Sequence, residues 1–97
     1  MLTIEEITNR LKPIFSSHDI QKVVLFGSHA KGQATNGSDV DLVIDSDING
    51  IPFLSLRIKL KDALEREVDL LLRKWIDKDS AIYVNVENEG VLIYEQG

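Results

Sequence analysis

Two short segments of the sequence bring together side chains able to bind ions. In the first, the apolar run Val23–Phe26 ends at Gly27 and Ser28; in the second, Ser38-Asp39-Val40-Asp41-Leu42-Val43 opens a new apolar run. Carboxylates at i and i+2 of a strand project from one face a few ångströms apart, and they repel unless a cation lies between them. Asp39 and Asp41 have that spacing. Hard oxygen donors so placed suit Mg²⁺ or Mn²⁺, and Mg²⁺ is usually held by one or two carboxylates together with the phosphates of a substrate. A polyphosphate is therefore the natural companion. A strand that stops at Gly27 and turns through Ser28 offers backbone N–H groups and a hydroxyl to an anion, and a residue without a side chain lets a phosphate come close. Taken singly, a Gly-Ser pair is an ordinary turn and an Asp-x-Asp is ordinary solvated surface. The order carries the information: a strand, Gly-Ser, ten further residues, then Asp-x-Asp at the head of the next strand.

The elements that place these groups follow from the apolar periodicity. Ile4, Ile7, Leu11, Ile14 and Phe15 recur at helical spacing, and Thr3 with Glu6 forms a capping box at the start of that helix. Pro13 kinks the helix or opens a last short turn. Lys22 to Phe26 suits a buried strand, and Gly27 to Ser38 is a loop or a short helix plus turn. From Asp39 to Asp45, Val40, Leu42 and Ile44 lie on one face and Asp39, Asp41, Val43 and Asp45 on the other, which makes a strand with an acidic side. After a turn at Asp47–Gly50, Pro52 suits a helix start, and Phe53, Leu56, Leu60, Ala63 and Leu64 repeat at helical spacing. Glu67 to Leu72 returns to strand, with Glu67, Asp69 and Leu71 opposite the row of Val68, Leu70 and Leu72. Asp79 to Glu89 fits helix and strand periods equally, and Val91 to Tyr94 reads as a closing strand. The alternation favours a sheet with helices packed on it.

Composition narrows the function classes. A chain of 97 residues supports one hydrophobic core, so residues 1–97 are expected to form a single domain. Eleven Lys plus Arg against sixteen Asp plus Glu give a net charge of -5, which argues against stable, non-specific nucleic-acid binding. The absence of cysteine excludes a disulfide framework, a thiolate zinc site and a Cys nucleophile, and two histidines are too few for a histidine-dominated metal cluster. Any metal must sit on carboxylates. No apolar run approaches the ~20 residues of a bilayer span, and the N-terminus lacks a signal-peptide layout, so the expectation is a cytoplasmic protein without a membrane anchor.

The run Leu25-Phe26-Gly27-Ser28-His29-Ala30-Lys31-Gly32, followed by Ser38-Asp39-Val40-Asp41-Leu42, resembles the signature of the DNA polymerase beta-like nucleotidyltransferase superfamily. The size of the chain is similar to that of its minimal nucleotidyltransferases, and the resemblance covers nearly the whole chain. It implies an α+β nucleotidyltransferase fold, a small mixed sheet of three to four strands with helices packed on it. It also implies a third acid from a later strand, which Asp69 matches, with Glu67 the weaker candidate on the same face. Asp39, Asp41 and Asp69 would then be the catalytic and metal-binding residues for two Mg²⁺ ions, or Mn²⁺ in their place. Gly27 and Ser28 would hold the β- and γ-phosphates of ATP.

Minimal nucleotidyltransferases of this kind resemble the antitoxin half of toxin–antitoxin modules. The implied activity is transfer of AMP from ATP to a tyrosine of a HEPN-domain ribonuclease toxin, and the implied assembly is a homo- or hetero-oligomer. Too few residues follow Asp69 to build a second core, so the acceptor is expected to be small, carried by another subunit, or a protein. The alternatives are a binding module that neutralises a toxin by contact, and a small-molecule nucleotidyltransferase that needs a separate substrate-binding subunit. Position 29 is His where the family commonly has Arg, and it is expected to be a tolerated variant rather than a catalytic acid. Lys31 is expected to be solvated, Asp45 and Asp47 to form a turn, Arg73 and Lys74 to be ordinary flanking charges, and His18 to be helix-end surface. Trp75 suits core and partner contact equally.

Overall fold

The computed structural model describes residues 2–96. The chain order is α1 (Ile4–Ser16), β1 (Ile20–Phe26), α2 (Gly27–Ala30), β2 (Val40–Ser46), α3 (Gly50–Leu64), β3 (Val68–Leu72), a 3₁₀ turn (Arg73–Trp75), α4 (Ala81–Glu89) and β4 (Val91–Glu95). Four strands form one sheet in the order β3-β2-β1-β4. β1 runs antiparallel to both of its neighbours, whereas β2 and β3 are parallel and are joined through α3. The sheet is therefore mixed, as expected.

Strand alternation separates two apolar layers. Val23 and Leu25 of β1, Val40, Leu42 and Ile44 of β2, and Val68, Leu70 and Leu72 of β3 pack against Ile7, Leu11 and Phe15 of α1 and Leu56, Leu60 and Leu64 of α3. The residues between them in sequence face the other way, where Val24, Phe26 and Val43 meet Val86 of α4, with Leu71 and Ile76 at the margin. Period-two alternation makes this second face the one that also carries Asp41 and Asp69. The capping box of α1 forms as expected, Thr3 Oγ1 accepting from Glu6 N–H at 3.1 Å while Glu6 Oε1 accepts from Thr3 N–H at 3.1 Å. Pro13 lies inside α1 and does not end it.

The segment whose periodicity fitted both helix and strand is α4. Ser80 caps it, its hydroxyl accepting from Tyr83 N–H. α4 is tied down by charge and by close packing. Arg73 donates to Asp45 and to Glu87, each at 2.7 Å, and Lys31 pairs with Glu89 at 3.0 Å. Asp45 is thus not a turn former: it lies within β2, opposite its cation. Arg73 is spent on this bridge, and Lys31, exposed as expected, pairs with Glu89 at the surface. Trp75 is 62% exposed and meets Phe53 edge-on, with ring centroids 5.8 Å apart, so it is not core. Among the described residues no helix is long and apolar enough to cross a membrane.

At the end of α4, a Cβ added to Gly90 would collide with the Val86 carbonyl oxygen and with Val24 Cγ1. Gly90→Ala should therefore force α4 off β1, at a cost of about 1–3 kcal/mol for overpacking. Thermal denaturation should show Tm lowered by at least ~4 °C. An unchanged Tm would mean that α4 is not seated as described.

Candidate active site

Asp41 and Asp69 are register partners across the parallel pair β2/β3, so they stand side by side on the face that α4 partly covers. Across the antiparallel pair, Asp41 is opposite Phe26, the last residue of β1. The chain then turns beneath the Asp41 carboxylate through Gly27, whose φ of 74° belongs to the left-handed region. An added Cβ there would lie 3.1 Å from Asp41 Cγ and closer still to Oδ2. Two separate demands, conformation and space, thus require glycine at this position. Ser28 follows in α2, half-buried, and its carbonyl accepts from Gln33 N–H at 2.9 Å.

The carboxylates are crowded. Burial raises the Asp41 pKa from 3.8 to about 6, helped by the charge of Asp69, by a hydrogen bond shared with Asp69, and least by the charge of Asp39. Asp39 is exposed, one residue ahead of β2. Among the described residues, no three His, Asp or Glu side chains come together in a group that could hold a metal ion by themselves. Asp41 and Asp69 are the pair in contact, and Asp39 stands at their rim. The donor set fits a divalent ion: it consists of hard oxygens, and its like charges repel until a cation enters.

Glu67 goes elsewhere. Its carboxylate pairs with Lys61 at 2.8 Å and with Arg57 at 3.7 Å, and Lys61 holds its pKa below the usual carboxylate range. Its backbone carbonyl accepts from Val40 N–H at 2.9 Å, which fixes the start of β3 beside that of β2. Of the two acids predicted on this strand face, Asp69 is the one brought to Asp41.

His29 has a role that the sequence did not disclose. It is 4% exposed, and its Nδ1 lies 3.1 Å from the backbone carbonyl oxygen of Asp39. A carbonyl only accepts, so Nδ1 carries the proton and donates. Burial keeps the His29 pKa below its ordinary value, so the ring is neutral at physiological pH and supplies no charge to a phosphate. Its function is to tie α2 to the backbone of Asp39. The pairing spans ten residues of loop, and no local pattern announces it.

Beside Asp39, on the α3 side, opens a cavity of about 610 Å³. Ser38, Asp39, Lys61, Arg66 and Glu67 are among the residues that line it. Arg66 Nε is buried there without a hydrogen-bond partner.

Comparison with known proteins places these features in context. Residues 9–97 match the family model described as polymerase beta, nucleotidyltransferase. The chain is 35% identical over 81 residues to the protein adenylyltransferase MntA of Thermococcus cleftensis, covering 75% of this chain and 80% of the relative. Among solved structures, a toxin–antitoxin complex with AMP-PNP superposes with a TM-score of 0.79 at 22% identity, over 92% of this chain and 73% of the other. The MNT antitoxin complexed with the tri-AMPylated HEPN toxin of Shewanella oneidensis gives a TM-score of 0.74 at 19% identity, over 97% and 74% respectively. The two structural likenesses concern the fold.

The raised pKa of Asp41 has a consequence for stability when divalent ions are chelated. The folded chain binds the Asp41 proton more tightly than the unfolded chain, so this contribution is fully present below about pH 3.8 and is lost as the pH rises through about 6. Asp41→Asn removes the loss and keeps the shape. In chelator near neutral pH the variant should melt above the wild type by a few degrees, on the order of 1 kcal/mol after solvent screening. The two melting curves should converge near pH 4. A variant less stable than the wild type at neutral pH would contradict the crowding.

Proposed function

The chain belongs to the polymerase beta nucleotidyltransferase family, and from the meeting of Asp41 with Asp69 beside Gly27 we propose that it transfers AMP from ATP to a hydroxyl. We infer further that the acceptor is a tyrosine of a partner HEPN ribonuclease toxin, so that the chain acts as the antitoxin of the pair. The observation that carries the transfer is the crowded carboxylate pair on neighbouring strands with the Gly27 turn tucked under it. The name of the Thermococcus relative and the AMPylated toxin in the Shewanella complex support a HEPN protein as the acceptor.

Each residue has a part in that reaction. Gly27 and Ser28 hold the β- and γ-phosphates by backbone N–H groups and the Ser28 hydroxyl, which leaves the α-phosphorus open to in-line attack. Asp39, Asp41 and Asp69 would hold two Mg²⁺ ions, or Mn²⁺, whose chemistry when bound is to acidify the attacking hydroxyl and offset the charge of the leaving pyrophosphate. Asp69, the exposed member of the pair in contact, accepts the proton of the hydroxyl as its oxygen bonds to the α-phosphorus. The bond from the α-phosphorus to the bridging oxygen breaks and pyrophosphate departs. The cavity beside Asp39 gives the acceptor a way in from the α3 side. Catalysis of this kind is mostly positioning and charge neutralisation, which is the reason to fix Asp39 through His29.

A second reading, neutralisation by contact, is favoured by the outer surface of α3. Ile51, Leu54 and Ile58 are 81%, 57% and 56% exposed at i, i+3 and i+7, an apolar stripe suited to covering by a partner. One experiment separates the two. Incubation with α-labelled ATP, Mg²⁺ and the product of the adjacent reading frame should label that protein, and the Asp39→Asn Asp41→Asn double variant should abolish labelling and protection together. No labelling, with full protection by the double variant, would establish neutralisation by contact instead.

A further inference from the structure

α3 buries one side only. Leu56, Leu60 and Leu64 face the core and are inaccessible to water, whereas Ile51, Leu54 and Ile58 are each more than half exposed. At roughly 100° per residue, these three and Asp62 share one sector about 80° wide on the side away from the core. The stripe changes character along the helix: it is apolar over the first turns and acidic at the end, where Glu65 caps the helix. Asp62 and Glu65 also line the cavity beside Asp39. The apolar stripe and the candidate site are therefore one continuous surface, about 16 Å long from Ile51 to Asp62.

The acidic end is short of cations. Among the described residues, neither Asp62 nor Glu65 has an ion-pair partner. The two cations that line the cavity are engaged, Lys61 with Glu67 at 2.8 Å and Arg66 with the backbone carbonyl oxygen of Glu65 at 3.1 Å. Lys59, beside the stripe, turns to His18 at 3.4 Å. The C-terminus of the helix adds partial negative charge of its own.

Apolar side chains at i, i+3 and i+7 form a ridge that packs into the groove of another helix, and the acids require a cation at one end of that helix. We propose that the outer face of α3 is the docking track of the acceptor protein: a helix of the acceptor covers Ile51, Leu54 and Ile58 and sends a Lys or Arg to Asp62 and Glu65. This rests on the transfer to a protein proposed above. An apolar ridge alone holds such a helix in either direction. The acid pair fixes the direction, because the reversed helix carries its cation to the Ile51 end. Exposed ion pairs are weak, so the acids select orientation more than they add affinity. A helix held this way has its basic end at the cavity beside Asp39, where the proposed reaction admits the acceptor hydroxyl. A second copy of this chain is a poor occupant, since its own α3 carries acids where a cation is needed.

The test uses the full chain and the product of the adjacent reading frame, with calorimetry for affinity and α-labelled ATP in Mg²⁺ for transfer. Ile58→Glu sets a charge in the middle of the ridge and should weaken binding at least about ten-fold. Asp62→Lys with Glu65→Lys should weaken it about three- to ten-fold at low salt, and the difference should shrink at about 0.5 M salt, where screening is short-ranged. In both variants labelling should fall at low acceptor concentration and recover as the acceptor is raised. The three side chains are exposed, so an unchanged Tm is expected and separates lost docking from lost fold. Binding unaffected by Ile58→Glu, or by the charge reversal at low salt, would overturn the track and, with labelling intact, leave the transferase reading standing. Binding that both variants weaken, without labelling by the wild type, would keep the surface and overturn the transfer. A wild type that neither binds nor labels the product would overturn both. If light scattering found the wild type dimeric and Ile58→Glu monomeric, with affinity for the product unchanged, the stripe would belong to a second copy and the proposal would be wrong.

Discussion

The parallel register of β2 on β3 is the constraint from which the site follows. It sets Val40 against Val68, Asp41 against Asp69 and Leu42 against Leu70, so three rows alternate between core and carboxylate. A slip of one residue would turn Asp69 into the layer beneath α3 and bring Val68 or Leu70 beside Asp41. The acids do not enforce this alignment, since their mutual repulsion opposes it. The apolar rows do. Val68 and Leu72 are essentially inaccessible to water, Leu70 is 6% exposed, and Leu56, Leu60 and Leu64 of α3 close over the same core. Polar contacts reinforce it: Arg57 Nε donates to Val68 O at 3.0 Å, and Val40 N–H donates to Glu67 O at 2.9 Å. Burial of fifteen or so aliphatic side chains at about 1.5–3 kcal/mol each outweighs the repulsion of one carboxylate pair many times over.

The same logic separates the two acids of β3. Both alternate onto the face opposite the core, yet only one is available for chemistry. Glu67 sits just before β3, within reach of Lys61 and Arg57 on the last turns of α3, and those cations hold it. Asp69 is two residues further along the chain and has no cation partner among the described residues. It meets Asp41 instead. A salt bridge that positions the start of the strand thus leaves its companion acid without a cation partner among the described residues.

Much of this was legible in the sequence, because alternation and helical spacing report burial directly. The rows through Val40, Leu42 and Ile44 and through Val68, Leu70 and Leu72 identified both strands and the face of their acids, and Gly27-Ser28 marked the turn. Three things were not legible, each for a physical reason. α4 was ambiguous because it lies on the sheet by one narrow edge: Val86 is buried, while Ile82 and Val84 are 44% and 51% exposed, so the apolar residues do not mark one face. The pairing of Asp45 with Arg73 spans 28 residues, and proximity of that kind is set by the β2–β3 register and not by local pattern. His29 differs from the Arg common in the family, and the change of residue type signals a lost charge without signalling burial or the bond to Asp39 O.

The His29 substitution bears on how the site balances charge. An arginine there would bring a permanent cation to the Gly27 end of the cleft, whereas the neutral imidazole contributes one directed N–H to the backbone of Asp39. Lys31, two residues on, does not replace the charge, because Glu89 of α4 holds it. Without those two cations, the attraction for a polyphosphate under the proposed reaction would fall more heavily on divalent ions held by Asp39, Asp41 and Asp69, and on the backbone N–H groups of the Gly27 turn. Nucleotide and metal would then bind as one unit. The crowded acids would attract the cation and the cation the triphosphate, and binding of both would relieve the repulsion that the folded chain carries at Asp41, so the loaded protein would be the more stable one.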